Sequence, residues 1–294
     1  MSISIVIPAH NEAEAIAGVV TACKALPDVT QVIVVDDGST DDTGTIARRA
    51  GAEVVTHPYC VGNGASVKSG ARAATGDIVV FLDGDGQHPP EDVPRLVAKL
   101  EGYHLVVGAR EPSTHANLKR RFGNNVYNVF ASYVTQFPIL DLTSGFRAIR
   151  RDLLLHYLYL LPNGFSSPST LTLAILRTGR SLAYVPIRAR ERKGTSKIHL
   201  LKDGTRFFLI IIKIATLFSP LRVFIPVSLL AFILGTANYT YSSVLQKHFV
   251  FTNMSALLYV AAVLVFMLGL VAEQIAQLRL DRTEGLDTIG RAPV

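Results

Sequence analysis

Asp83 and Asp85 stand two residues apart where an apolar run, Ile78-Val79-Val80-Phe81-Leu82, gives way to Gly86, Gln87, His88, Pro89 and Pro90. Two carboxylates at this spacing make a hard-oxygen pair suited to Mg2+ or Mn2+, with coordination positions left over for a substrate's phosphate oxygens. The same residues would also serve an Asp-Gly turn with solvated carboxylates, so the pair decides nothing alone. Two earlier apolar runs end in similar clusters, Pro8 to Glu12 and Asp36 to Asp41. Three such clusters on one rim would suit a nucleotide. Carboxylates accept hydrogen bonds from base N–H groups and ribose hydroxyls, while a divalent ion takes the diphosphate. Asp36 and Asp37, at the tip of their run, are the better candidates for that contact. Asp41 competes for it with a role as helix N-cap.

The elements that would gather these clusters follow from the pattern. Each apolar run has the length of a buried strand, and open α/β sheets bind ligands at the carboxyl ends of their strands. We expect strands at 2–8, 31–35, 52–56 and 77–82, and a further one at 145–149. Helices are expected from Glu12, capped by Asn11, then up to about Ala50, and over 62–74. This alternation predicts a layered α/β domain with a mainly parallel sheet. Gly62-Asn63-Gly64-Ala65-Ser66-Val67-Lys68-Ser69 looks like a phosphate loop, but Val67 stands where the Walker pattern needs glycine, which removes that ATPase reading. A glycine turn opening a helix, with Lys68 one turn in, can still help hold an anion. The alternative is a plain loop-to-helix junction with an exposed lysine.

The 294 residues carry a net charge of +6, dense up to Arg222 and nearly absent from two later blocks. Val223 to Val244 and Phe249 to Ala272 are 22 and 24 residues without Asp, Glu, Lys or Arg. About 20 apolar residues span a bilayer core, so both are expected to be transmembrane helices joined in a tight hairpin. Arg206, Lys213 and Arg222 precede the pair and Arg279, Arg282 and Arg291 follow it, with Lys247 alone between. The positive-inside rule then puts both termini and the N-terminal two thirds in the cytosol, on an integral membrane protein of the cytoplasmic membrane. No signal-peptide pattern opens the chain. Cys23 and Cys60 have no metal or redox spacing, which fits a reducing compartment. Residues 117–137 mix Lys119, Arg120 and Arg121 with apolar side chains at helical spacing. Residues 198–221 do the same around Arg206 and Lys213, and both read as interfacial helices touching membrane lipids. Glu273 ends the second uncharged run and is expected at the interface. The basic run that includes Lys193 and Lys197 belongs to no nucleic-acid module, so an anionic lipid phosphate or the diphosphate is its expected partner.

Together, Val6-Ile7-Pro8-Ala9-His10-Asn11-Glu12, Val34-Val35-Asp36-Asp37-Gly38-Ser39-Thr40-Asp41, Gly62-Asn63-Gly64 and Asp83-Gly84-Asp85-Gly86-Gln87-His88-Pro89 resemble family 2 glycosyltransferases of GT-A fold. Asp141-Leu142-Thr143-Ser144-Gly145-Phe146-Arg147, Phe165-Ser166-Ser167-Pro168-Ser169 and Arg192-Lys193-Gly194-Thr195-Ser196-Lys197-Ile198 are similar to the polyprenyl-phosphate branch. That branch holds dolichyl-phosphate mannose synthases and bactoprenol glucosyltransferases with a two-helix tail. The resemblance implies a Rossmann-like GT-A nucleotide-sugar domain over 1–197, an interfacial helix over 198–221, a hairpin over 222–278 and a cytosolic tail over 279–294. It implies a divalent ion on Asp83, Asp85 and Gln87. Nucleotide-sugar contacts are implied at Pro8, Glu12, Asp36, Asp37 and Asp83, with Lys68 added from the anion reading. The expected reaction is inverting, from a nucleotide sugar, UDP-glucose favoured, to an undecaprenyl-type or dolichyl-type phosphate. GDP-mannose, UDP-N-acetylglucosamine and a modified pentose are the alternative donors, and a silent scaffold for a flippase is the alternative role.

Arginine forks suit an acceptor phosphate, which makes Arg110, Lys119, Arg120, Arg121 and Arg147 candidates beside Lys193 and Lys197. Asp141 stands where the family places a catalytic base. A phosphate monoester is already mostly dianionic at neutral pH, with a second pKa of about 6, so we expect Asp141 chiefly to orient Arg147 or the acceptor. Capping the turn before the next strand is the other reading. The chain has no tryptophan and therefore lacks the Gln-x-x-Arg-Trp motif of processive synthases. Self-association into a homo-oligomer is compatible with all of this.

Overall fold

The computed structural model describes residues 1–110, 128–129, 131–133, 135–164, 166–188, 216 and 218–284, with the backbone alone for 279–284. The chain divides into two compact units, Met1–His199 and Leu200–Val294. Most of the two expected interfacial segments lies outside the described residues, as does the tail beyond 284.

Among the described residues the first unit is built on seven strands: β1 (Ile3–Ala9), β2 (Val29–Asp36), β3 (Glu53–Thr56), β4 (Ile78–Phe81), β5 (Leu105–Arg110), β6 (Arg147–Arg150) and β7 (Leu182–Ile187). Helices α1 (Ile16–Lys24), α2 (Thr43–Arg49), α3 (Asn63–Ala73), α4 (Val93–Lys99), α5 (Arg151–Tyr157) and α6 (Ser167–Arg177) connect or cover them. The order across the sheet is β3-β2-β1-β4-β6-β5-β7. Four of the six pairings are parallel and the two made by β6 are antiparallel. The central strands are apolar on both faces, as helix-covered strands must be. Ile5, Ile7, Val34, Val80 and Leu82 are wholly buried with Val106 and Phe146.

The reversed strand β6 decides where the site can form. Its register pairs Arg147 with Phe81 of β4 and with Val107 of β5. Because β6 runs backwards, its first residues, rather than its last, reach the rim where β1, β2, β4 and β5 end. The segment 141–146 therefore joins Ala9, Asp36, Asp83 and Arg110 at one edge.

Asn11 does not cap a helix at Glu12. It has a left-handed backbone (φ 56°), and its Oδ1 accepts the Thr40 N–H at 2.8 Å, tying the first rim loop to the second. A single turn follows, with the Glu12 carbonyl accepting from Ala15 and Ile16, and α1 starts at Ile16.

In the second unit, α7 (Leu221–Gln246) and α8 (Asn253–Glu284) pack as a hairpin. Each holds a candidate membrane span of 26 residues, about 39 Å at 1.5 Å per residue and enough to cross a bilayer. Leu229, Phe232, Ile233, Leu264 and Leu268 are among many large apolar side chains left facing outward. Gly269 permits the close approach: a Cβ there would lie 2.7 Å from the Phe224 Cβ. Polar side chains bridge the two helices, Asn238 Oδ1 accepting from Thr252 at 2.7 Å and Ser255 at 2.9 Å. Glu273 faces the partner helix. It is 8 % exposed, and its Oε2 accepts the Leu221 N–H at 3.3 Å, supplying an acceptor at the start of α7 where no intrahelical one exists. Glu273→Leu is expected to cost about 1–3 kcal/mol for the orphaned N–H. A lowered thermal midpoint of the detergent-solubilised protein, with nucleotide binding unchanged, would register it.

Candidate active site

Beyond β4 the chain turns sharply. Asp85 Oδ1 accepts the Gln87 N–H at 3.0 Å across Gly86, whose φ of 72° is a conformation that favours glycine. The Asp-Gly turn and the carboxylate pair are thus one structure. The Asp83 side chain is 43 % exposed, while His88, Pro89 and Pro90 behind it are buried. Facing Asp83 is Gly145, where a Cβ would stand 2.7 Å from Oδ1 and 2.8 Å from Oδ2. A bare glycine keeps this carboxylate in place.

Among the described residues no three His, Cys, Asp or Glu side chains converge as a metal cage. Two carboxylates with an open side fit a different kind of site, in which substrate phosphate oxygens and water complete the shell of Mg2+ or Mn2+. The donor chemistry and the space beside Gly145 both agree with such an ion. Gln87 is half-buried on the same turn.

Arg110 closes β5 beside this pair. Its Nε donates to Asp141 Oδ2 at 2.7 Å, and Nη2 donates to Asp141 Oδ1 at 2.9 Å and to Thr143 Oγ1 at 2.7 Å. Burial works against the guanidinium's charge, but the Asp141 hydrogen bonds and the fields of Asp141, Asp83 and Asp85 outweigh it and raise its pKa. Burial likewise pushes the Asp141 carboxyl up, and Arg110 more than reverses the effect, holding it below the usual carboxylate range. Asp141 Oδ1 also accepts the Thr143 and Ser144 N–H groups at 3.2 and 3.1 Å. The turn-capping and arginine-orienting readings of Asp141 therefore coexist, with Arg110 as the arginine concerned.

Arg147 sits otherwise than expected. It is 1 % exposed and donates to the carbonyls of Ser144 at 2.7 Å and Leu142 at 3.0 Å, to Thr172 Oγ1 at 2.7 Å, and to the Pro168 carbonyl. Starting β6 one residue after Phe146 sends its side chain inward, where it ties the 141–144 loop to α6. In this arrangement it is a strut beneath the site and not a grip on a phosphate.

The nucleotide-side candidates also divide. Pro8 and Glu12 lie half-buried along the first rim loop, with the Glu12 N–H held by Thr43 Oγ1 at 2.9 Å. Asp36 is buried and accepts the Ser39 N–H at 3.0 Å. Asp37 organises the 57–62 loop, accepting from Val61 N at 2.9 Å, Gly62 N at 2.8 Å and Cys60 Sγ at 3.3 Å, with His57 Nδ1 at 2.7 Å. Burial opposes its charge, yet these donors together lower its pKa. Asp41 stands one residue before Asp42, the N-cap of α2, and accepts the Thr43 N–H at 3.0 Å and the Thr43 hydroxyl. Lys68 faces the 161–163 segment, donating to Leu161 O at 3.2 Å and to Asn163 Oδ1. The N–H groups of Gly64 and Ala65 at the start of α3 are also taken, by Gly164 O at 3.1 Å and Asn163 O at 3.0 Å. The loop-to-helix junction is closed by its own chain, with Lys68 half-buried and not exposed. Lys119, Arg120, Arg121, Lys193 and Lys197 lie outside the described residues.

Two residues here carried no role in the sequence reading. Gly145 and His88 both sit inside quoted motifs, but only the reversed β6 reveals that Asp83 is wedged between them.

Comparison with known proteins agrees with this layout. The model of glycosyl transferase family 2 matches residues 4–158, and that of the GtrB C-terminal hairpin matches residues 219–278. The undecaprenyl-phosphate 4-deoxy-4-formamido-L-arabinose transferase of Salmonella choleraesuis is 30 % identical over 162 residues, covering 52 % of this chain and 50 % of that protein. The chain thus spans about half the length of the curated relatives it matches. Glucosyl-3-phosphoglycerate synthase from Mycobacterium tuberculosis, solved with Mn2+, uridine diphosphate and phosphoglyceric acid, superposes with a TM-score of 0.60 at 28 % identity, over 73 % of this chain and 78 % of that one. The same enzyme with Mg2+ and uridine diphosphate gives 0.58 at 29 % identity, over 72 % and 77 %. With a family match across more than half its length and that family's α/β sheet beneath it, the chain belongs to glycosyl transferase family 2.

Proposed function

We propose that this protein moves a sugar from a nucleotide sugar, UDP-glucose by preference, onto a polyprenyl phosphate, with inversion at the anomeric carbon. The observation that carries the reading is the meeting, on one sheet rim, of the open Asp83/Asp85 pair and the Arg110–Asp141 clamp. The relatives named for undecaprenyl-phosphate transfer and the membrane hairpin support a lipid-linked acceptor. The neighbour crystallised with uridine diphosphate and Mn2+ supports the donor side.

A divalent ion on Asp83 and Asp85, with Gln87 beside them, would stabilise charge on the departing diphosphate. The remaining work falls to the chain's own groups. A phosphate oxygen of the acceptor forms its bond to the anomeric carbon as the bond to the nucleoside diphosphate breaks. Arg110, pre-aimed by its two hydrogen bonds to Asp141, offers its positive charge to the acceptor phosphate. Lys119, Arg120, Arg121, Lys193 and Lys197 are further candidates for that phosphate. Asp141 is a poor base, because Arg110 holds it ionised, and the acceptor needs little deprotonation. Asp141→Asn is therefore expected to lose most transfer activity, with no recovery as pH is raised. Recovery at high pH would restore the base. Both termini are assigned to the cytosolic side, where nucleotide sugars are found.

The test incubates membranes containing the protein with labelled UDP-glucose, GDP-mannose, UDP-N-acetylglucosamine or a modified pentose donor, plus polyprenyl phosphate and Mg2+ or Mn2+. A solvent-extractable labelled lipid with UDP-glucose is the expected product. Its absence with every donor would favour a catalytically silent scaffold.

A further inference from the structure

The ring of His88 lies directly behind the first carboxylate of the site and is 3 % exposed. Its Nδ1 is 3.3 Å from the Asp83 main-chain nitrogen and 3.5 Å from Asp83 Oδ2. A backbone N–H can only donate, so Nδ1 accepts and the ring proton belongs on Nε2. The imidazole also stacks on Phe146, with centroids 5.4 Å apart and planes inclined by 21°. Phe146 is completely buried and follows Gly145, whose missing side chain leaves space for the Asp83 carboxylate. The prolines after His88 are buried as well, and their fixed φ angles restrict withdrawal of the ring. One side chain thus touches the main chain that carries Asp83 and packs against the strand that walls it in.

We propose that His88 is a positioning residue for the Asp83/Asp85 pair: its Nδ1 fixes the Asp83 peptide so that both carboxylates face one divalent ion. The assignment rests on the metal–diphosphate reading of this rim. Hydrogen-bond partners behind a metal ligand typically change metal affinity by 10–100-fold when removed. A ring that merely fills space would be replaceable by another ring. An acceptor that sets the peptide would not.

The experiment measures Mn2+ binding to the full chain in detergent with uridine diphosphate present, from the electron paramagnetic resonance signal of free Mn2+. His88→Phe keeps the stack on Phe146 and deletes the acceptor, whereas His88→Asn deletes the ring and keeps an acceptor near the Nδ1 position. His88→Phe is expected to weaken Mn2+ by about 10-fold or more, and His88→Asn to stay within about threefold of wild type. Wild-type affinity in His88→Phe, or equal loss in both variants, would overturn the proposal. Asp85→Ala runs alongside. If it loses Mn2+ while His88→Phe does not, the metal reading stands and the His88 assignment fails. If neither variant changes Mn2+ binding, both fail. Should His88→Phe not fold, His88→Gln replaces it, since its acceptor falls near the Nε2 position. Asn binding Mn2+ more tightly than Gln is then the expected order, and equal affinities overturn the proposal.

Discussion

Gly145→Ala should abolish transfer in a protein that is otherwise folded. The added Cβ would fall 2.7 Å from Asp83 Oδ1, 2.8 Å from Oδ2 and 3.0 Å from Cγ, closer than such atoms approach. Phe146 behind is fully buried, so relief comes from the half-open Asp83 side chain, which swings out of its place. Reacting groups misplaced by about 1 Å cost on the order of 100-fold, and kcat/KM is expected to fall by at least that amount. Extra Mn2+ should not rescue it fully, because the carboxylate is displaced and not merely weakened. Gly102→Ala is the control, as a Cβ there meets nothing within 4 Å. Wild-type turnover in Gly145→Ala would mean that the position of Asp83 does not matter.

Arg110→Ala carries the second large effect, and it separates stability from activity. The substitution leaves Asp141, 7 % exposed, as a buried carboxylate without its guanidinium. Breaking a fully buried pair from one side costs about 3–5 kcal/mol, and the 30 % exposure of the Arg110 side chain puts this pair below that range. The double variant Arg110→Ala/Asp141→Ala removes both charges and is expected to recover much of the stability and none of the transfer. Arg110→Lys keeps a charge but loses the two-pronged fit, so partial activity is expected. The pH dependence has a fixed sign. Arg110 lowers the folded-state pKa of Asp141, so the stabilisation is complete above the unfolded carboxyl value of about 3.9 and fades as pH falls through the depressed value. The gap in stability between wild type and Arg110→Ala should accordingly be full at neutral pH and shrink in acid. Denaturant titrations at several pH values measure it.

The strand ends and the hairpin were legible because each is written in local pattern. An apolar run ending in polar residues marks a sheet rim, and a block of 22 uncharged residues has few other uses. Strand direction is not written that way. Nothing in Arg147-Ala148-Ile149-Arg150 says that β6 runs against β4, yet that reversal brings Gly145 to Asp83 and turns Arg147 inward. Arg147 looked like a phosphate ligand because an arginine fork suits a phosphate. Here four neutral acceptors lie within its reach. Asp37 presented the opposite problem. A carboxylate at a strand tip suits a nucleotide, but its partners come from the 57–62 loop, some twenty residues later, and a linear reading cannot supply them. The position of Glu273 after the apolar run was legible, but its partner was not. Its pairing with Leu221, across the hairpin, depends on the register of two helices, which composition does not set.

Asp85 is the residue on which the metal–diphosphate assignment of this rim depends. Purified wild type and Asp85→Ala, reconstituted with polyprenyl phosphate and supplied with labelled UDP-glucose and Mn2+, should differ in one respect only. Both insert into the membrane, and wild type forms labelled lipid while Asp85→Ala forms none. Transfer that survives the loss of Asp85 would contradict the assignment of this rim as the metal–diphosphate site.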